Sequence, residues 1–167
     1  MGKQSKWYFY REKTSFPGVV KIAEKVKKDI ALVTGKEPED YQNQKSCDVL
    51  VIYGTVGKSE ILDHYEQCGV ISLDEIRNKR EVYGFYVREQ LTDHVQFAVI
   101  IAGSDKRGTI YGLFHLSELL GVSPLVNWNH VIPEQKIVSL SKADTMISRE
   151  PSIRYRGFFI NDEWPAF

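Results

Sequence analysis

What this chain lacks narrows the field first. It has no charge imbalance: 22 Lys and Arg stand against 22 Asp and Glu. Nothing in its overall electrostatics favours a nucleic acid or an anionic membrane as partner. It has no apolar run near the roughly 20 residues that span a bilayer. Its first residues, Met1-Gly-Lys-Gln-Ser-Lys-Trp7, contain no apolar h-region, so no secretory signal is expected in the chain. Cysteine is scarce. Cys47 and Cys68 match no metal-ligand spacing, so no metal and no cofactor is expected, and two buried thiols are favoured over a disulfide. What remains is the composition of an ordinary globular domain, 43% apolar and 26% charged over 167 residues. That is enough for one core with a small appendage.

The organising stretch is Val95–Gly121, VQFAVIIAGSDKRGTIYGLFHLSELLG. Phe97–Ala102 is continuously apolar and reads as a buried strand. A polar turn, Gly103–Gly108, leads into an apolar helix that presents Ile110, Leu113, Phe114 and Leu120 and stops at Gly121. This strand–loop–helix unit puts Lys106 and Arg107 beside free amides at a helix N-terminus, an anion-facing corner. The anion is a substrate, a phosphate or a carboxylate of the protein itself; the residues leave that open. Gly108 and Gly112, four apart, make a smooth patch for close packing. His115, in an apolar surround, reads as a core histidine.

Before this unit, Lys6–Arg11 reads as an aromatic edge strand. A helix capped by Ser15 follows, with Pro17 in its first turn. Its stripe is Val19, Ile22, Ala23, Val26, Ile30 and Val33. Its lysines, Lys27 among them, fall on a solvated face, and Gly35 closes it. Asp48–Tyr53 is a second buried strand of the parallel type. Gly54-Thr-Val-Gly57-Lys58-Ser59 looks superficially like a phosphate-binding loop. That motif needs a glycine five residues before Gly57, and Ile52 stands there, so the loop is too short to wrap a triphosphate. The expectation is a strand-to-helix turn with Ser59 as cap and a helix burying Ile61, Leu62 and Tyr65. Ser72–Glu75 has capping-box spacing and predicts a further short helix. Val82–Leu91 and Val95–Ala102, separated by Thr92-Asp93-His94, predict an antiparallel hairpin with His94 at its solvent-facing tip.

After Val122 the texture turns irregular. Asn127-Trp-Asn-His130 is rich in aromatic and amide groups, Lys136–Leu140 reads as a short strand, and Ser141–Pro151 as a linker. Ile153–Ile160 reads as one last strand, apolar on both faces, of the kind that opens a new domain. The fold class expected is α/β, a mixed β-sheet layered with helices, followed by that isolated C-terminal strand. The strand order stays open.

Three segments carry a family resemblance: DVLVIYGTVGKSEIL (Asp48–Leu62), AGSDKRGTIYGLFHLSELLGVSP (Ala102–Pro124) and IRYRGFFINDEWP (Ile153–Pro165). Together they closely resemble the bacterial xylan α-1,2-glucuronidases of glycoside hydrolase family 115, in the right order. The resemblance implies an accessory α/β domain over residues 1–150, similar to the domain preceding the barrel in β-hexosaminidases. It further implies that residues 151–167 begin a truncated (β/α)8 barrel. The implied activity is removal of glucuronic acid or its 4-O-methyl ether from glucuronoxylan or its oligosaccharides, with inversion. The implied partner within the protein is the remainder of the barrel, and the implied location is secreted or periplasmic.

On that mapping Asn161, Asp162 and Glu163 stand at the C-terminal end of the first barrel strand, where barrel active sites lie. Alternation sends Asp162 and Glu163 to opposite sides. An inverting enzyme needs two carboxyl groups roughly 6.5–9.5 Å apart. No complete catalytic pair is therefore expected here, and the segment alone is expected to be inactive. Trp164 is open to two roles, stacking a sugar or filling the barrel mouth. Lys106 and Arg107 have two as well, binding the uronate carboxylate or docking the first domain on the barrel. The competing class is a free-standing carbohydrate-binding or protein-interaction module that uses Asn127–His130.

Overall fold

The computed structural model describes residues 5–42, 46–129, 131, 133, 139–157 and 159. Strand β1 (Trp7–Tyr10) leads into helix α1 (Pro17–Thr34), the two-residue strand β2 (Glu39–Asp40) and the long strand β3 (Cys47–Thr55). Helix α2 (Glu60–Gln67), the hairpin β4 (Tyr83–Thr92) and β5 (Val95–Gly103), and helix α3 (Lys106–Leu119) follow. A four-residue helix α4 (Val126–Asn129) and a short strand β6 (Met146–Ile147) come last.

These strands form one six-stranded sheet in the order β2-β1-β3-β5-β4-β6. β2, β1, β3 and β5 run parallel, while β4 is antiparallel to both β5 and β6. The expected mixed sheet is present, and so is the hairpin, with His94 exposed at its tip. Strand alternation divides the core in two. Phe9, Val51, Tyr53, Val87 and Ile101 meet α1 and α3 on one side. Leu50, Ile52, Tyr86 and Ile100 meet α2 and the 71–82 segment on the other. Both faces of the middle of β3 and β5, Val49–Tyr53 and Ala98–Ala102, are thus covered, which is why these stretches are apolar throughout.

Several local expectations are corrected. β1 is not an edge strand, because β2 pairs along its outer side. Ser15 is not the cap of α1. Pro17 forces the preceding residue into extended backbone, so Phe16 (φ −60°, ψ 138°) takes the cap position without a side-chain bond. Lys27 is buried rather than solvated, since β2 brings Asp40 to 2.5 Å from its amine, with Glu24 at 2.9 Å. The Ser72–Glu75 box makes only turns, and positive φ at Asn78 ends them; one turn alone does not repay helix nucleation. Ile76 is nonetheless fully buried. Phe114 lies on the open side of α3 and is 36% exposed, whereas Leu113, Leu116 and Leu120 take the core positions.

Cys47 is buried, and its burial pushes the thiol up to about 11; Cys68 is exposed instead. Ser141–Pro151 is more than a linker. It carries β6, and Thr145 Oγ1 and Ser148 Oγ accept the Val87 and Tyr83 amides of β4. Residues 153–157 and 159 form no strand: a strand needs a ladder partner, and none lies beside them among the described residues. Lys136–Val138, most of another expected strand, lie outside the described residues.

The glycine pair on α3 serves close packing, as expected. A Cβ on Gly108 would lie 2.2 Å from the Val82 carbonyl oxygen, and one on Gly112 would lie 2.4 Å from Ile101 Cγ2. Gly35, at φ 74°, closes α1 by donating to the Ala31 carbonyl at 2.8 Å.

Candidate functional site

In α/β sheets, ligands bind where loops leave the C-terminal ends of the parallel strands. Here those loops follow β1, β3 and β5. The corner after β3 carries the Gly57-Lys58-Ser59 sequence. Gly57 adopts φ 77°, and the Ser59 hydroxyl accepts from Leu62 N at 3.3 Å, capping α2 as expected. Glu12, from the loop after β1, closes this corner. Its carboxylate accepts the Ser59 hydroxyl proton and, at 3.1 Å, the Ile61 amide. Lys58 turns away, its amine 4.6 Å from the Phe16 ring centre. The cavity left between Glu12, Thr55 and Ser59 is about 10 Å3, room for roughly one water. A protein carboxylate sits where a phosphate would have to sit.

The corner after β5 is built the same way. Asp105 caps α3: one carboxylate oxygen accepts Gly108 N at 2.8 Å and the other accepts Glu81 N at 2.9 Å. Thr109 stitches the strand ends together, its hydroxyl lying 3.1 Å from the Gly54 carbonyl and 2.7 Å from Thr55 Oγ1. Arg107 reaches outward and donates to Glu81 Oε1 at 2.9 Å. Arg156, from the segment after β6, pairs with the other oxygen of the same carboxylate. Glu81 has only 3% of its side chain exposed and stands at φ 59°. The hydrogen bond from Arg156, then that from Arg107, holds its carboxyl below the usual range against the opposing effect of burial.

Arg107 therefore meets a carboxylate of the protein, one of the three anions the sequence left open. Sequence reasoning did not find Glu81. It lies in an irregular segment with no periodicity, and the one available signal was the need of two adjacent cations for a counter-ion. Lys106, beside Arg107, is exposed. Asn161, Asp162, Glu163 and Trp164 lie outside the described residues. His115 is half-buried between the rings of Tyr83 and Phe85, with Nδ1 3.7 Å from Glu118 Oε2. Of the aromatic–amide stretch, Trp128 stands 77% exposed on α4, and His130 lies outside the described residues. No group of three His, Cys, Asp or Glu among the described residues could hold a metal ion. No described helix is long and apolar enough to cross a membrane.

With that geometry in hand, solved structures supply the relationship. The chain is similar to BtGH115A, a family GH115 4-O-methyl-α-glucuronidase with specificity for decorated arabinogalactans. The TM-score is 0.70, with 25% identity over 88% of this chain. It shares its fold alone with CpGH84D, at TM-score 0.54 and 12% identity over 71% of this chain. The chain spans 18% of the length of each. No protein-family model and no curated protein matches it in sequence. The mixed sheet layered with helices is similar to the N-terminal domain of that glycoside hydrolase 115 structure.

Proposed function

We propose that this chain is the N-terminal, non-catalytic region of a longer glycoside hydrolase that removes glucuronic acid or its 4-O-methyl ether from a decorated plant polysaccharide. One observation carries the reading: 88% of the chain follows the fold of a family 115 glucuronidase while covering 18% of that enzyme. The corners support a non-catalytic role, because Glu12 and Asp105 fill the two helix N-termini where an α/β domain would bind an anionic ligand. Residues 1–150 are the accessory domain and 151–167 open the catalytic barrel. Asn161, one of Asp162 and Glu163, and Trp164, which follow the first barrel strand in sequence, are the candidates for substrate contact. At least one member of the inverting carboxyl pair comes from elsewhere in the enzyme.

Arg107 acts in docking rather than in uronate binding. Its carboxylate partner, Glu81, is shared with Arg156 from the barrel side of the boundary. The polysaccharide is glucuronoxylan or, following the printed specificity of BtGH115A, a glucuronic-acid-decorated arabinogalactan. The test compares release of 4-O-methylglucuronic acid from both polymers by this chain and by the full-length gene product. Release by the longer protein and none by these 167 residues is expected. Release by the chain alone would sink the accessory reading.

A further inference from the structure

One side of α3 has no covering element among the described residues. Its inner side packs on the sheet and α1 through Leu113, Leu116 and Leu120. Its outer side forms, with the turn into α4, an open groove of about 530 Å3 walled by Tyr111, Phe114, His115, Val122, Val126 and Trp128. Three polar groups deep in this groove, Asp29, Ser117 and His115, have near polar neighbours, while Glu118 stays largely exposed at its edge. Asp29 accepts the Ser117 hydroxyl at 2.8 Å and faces Lys25 at 3.8 Å, and His115 faces Glu118. Apart from Glu118 and Lys25, what stays open is mainly aromatic: Trp128 at 77% exposure, Tyr111 at 38% and Phe114 at 36%. A sugar needs hydrogen-bond partners beside a stacking face, and this surface keeps few to offer. An apolar protein surface needs none.

Exposure is also lopsided along the chain. Of the ten large apolar side chains exposed among the described residues, nine lie in α3 or after it, the exception being Phe97. Single exposed apolar groups are ordinary, but a concentration of them marks an interaction surface.

The path of the chain says which partner. Glu150 accepts Arg80 N at 3.2 Å, and the Pro151 carbonyl accepts Arg80 Nη2 at 2.7 Å. Arg156 then pairs with Glu81 and meets the Tyr111 side chain. The segment leaving the sheet is thus pinned beside the first wall of the groove. The geometry points to the domain that follows in the same polypeptide as the occupant, seating an aliphatic or aromatic ridge against Tyr111, Phe114 and Trp128. The Arg107–Glu81–Arg156 cluster forms the charged rim of that contact. This inference rests on the accessory-region reading and goes beyond it by assigning the interface.

Hydroxyl-radical footprinting of the full-length gene product, without polysaccharide, tests it. Tyr111, Phe114 and Trp128 are expected to react at least about fivefold more slowly than their exposure here implies, as interface-core side chains do, with Phe97 as reference. Phe114→Ser with Trp128→Ser in the same protein is expected to split a single thermal transition into two and to speed proteolysis near residue 150. Labelling at the exposed rate overturns the proposal. So does protection that appears only with added glucuronoxylan oligosaccharide, or protection lost on dilution, which would mark a second copy as occupant. An exposed groove in a protein that releases glucuronic acid sinks this inference alone, whereas absence of release sinks the functional reading.

Discussion

The corners at the C-terminal edge of the sheet and the outer side of α3 are opposites. At the corners, backbone amides and cations face protein carboxylates: Glu12 on α2, Asp105 on α3, Glu81 on Arg107. Arg107 and both helix N-termini thus have a carboxylate partner. On the outer side of α3, three aromatic side chains line a 530 Å3 groove in which Ser117 and Asp29 bond one another. The region where an α/β domain ordinarily binds ligand is closed, and the region left open is apolar. A helix N-terminus attracts an anion whether that anion is a ligand or the chain's own side chain. A Lys-Arg pair at such a corner is therefore weak grounds for a ligand site, and the open surface carries more functional information.

Substitutions that separate the two regions should differ in size. Leu113→Ala, in the core that both regions share, should cost about 3 kcal/mol through lost transfer energy and a cavity, read from the urea midpoint. Gly108→Ala drives a methyl into the Val82 carbonyl and should cost about 2 kcal/mol by overpacking. It is expected to loosen the Glu81 corner along with α3. A milder change at the fully buried Leu113 than at exposed Phe114 would break the contrast between the inner and outer sides of the helix.

Acid should act on the corners. The Glu81 carboxyl sits below its ordinary value because Arg156 and Arg107 hydrogen-bond it. Its folded-state pKa is thus lower than its unfolded one. The stabilisation it provides is complete above the unfolded carboxylate range, about pH 4–5, and fades as pH falls through the lower folded value. Glu81→Gln should be less stable than the parent at pH 7, and the difference should shrink on acidification below about pH 4. A gap independent of pH would show that the ion pairs contribute nothing.

Glu12→Gln keeps the shape at α2 and removes the charge, so a loss near 1 kcal/mol is expected from the helix-terminus interaction. Lys58→Ala should do least, about 0.5 kcal/mol for the contact with Phe16, and adding ATP should leave the melting temperature of the parent unchanged. A nucleotide-dependent rise would reopen the corner after β3.

Much of the frame was legible along the chain. Val19, Ala23, Val26, Ile30 and Val33 repeat at helical spacing and are all buried. The apolar runs of β3 and β5 marked strands covered on both faces, and Gly35, Gly57 and Gly121 stand at positive φ where turns were expected. What failed depended on distant neighbours. Lys27 was read as solvated because its own helix says so, and it is buried because Asp40 returns beside it. Ser15 had the chemistry of a cap, but Pro17 moved the cap position to Phe16. β6 could not be seen, since two residues carry no periodicity and exist as a strand only through β4. For the candidate site, the cations were legible and their counter-ion was not.

The sequence by itself determined the local geometry: period, apolar runs, turn glycines and the Ser59 cap, all set by interactions within a few residues. It also carried a resemblance in short segments to the glycoside hydrolase 115 family, one of whose structures the fold matches at TM-score 0.70. Only the tertiary structure decided which charges meet and which surface stays open. Glu81 and Arg107, 26 positions apart, and Glu81 and Arg156, 75 apart, become partners only when β4, α3 and the final segment converge. Long-range pairing leaves no local trace in the chain, because its energy is realised only after the backbone has closed the distance.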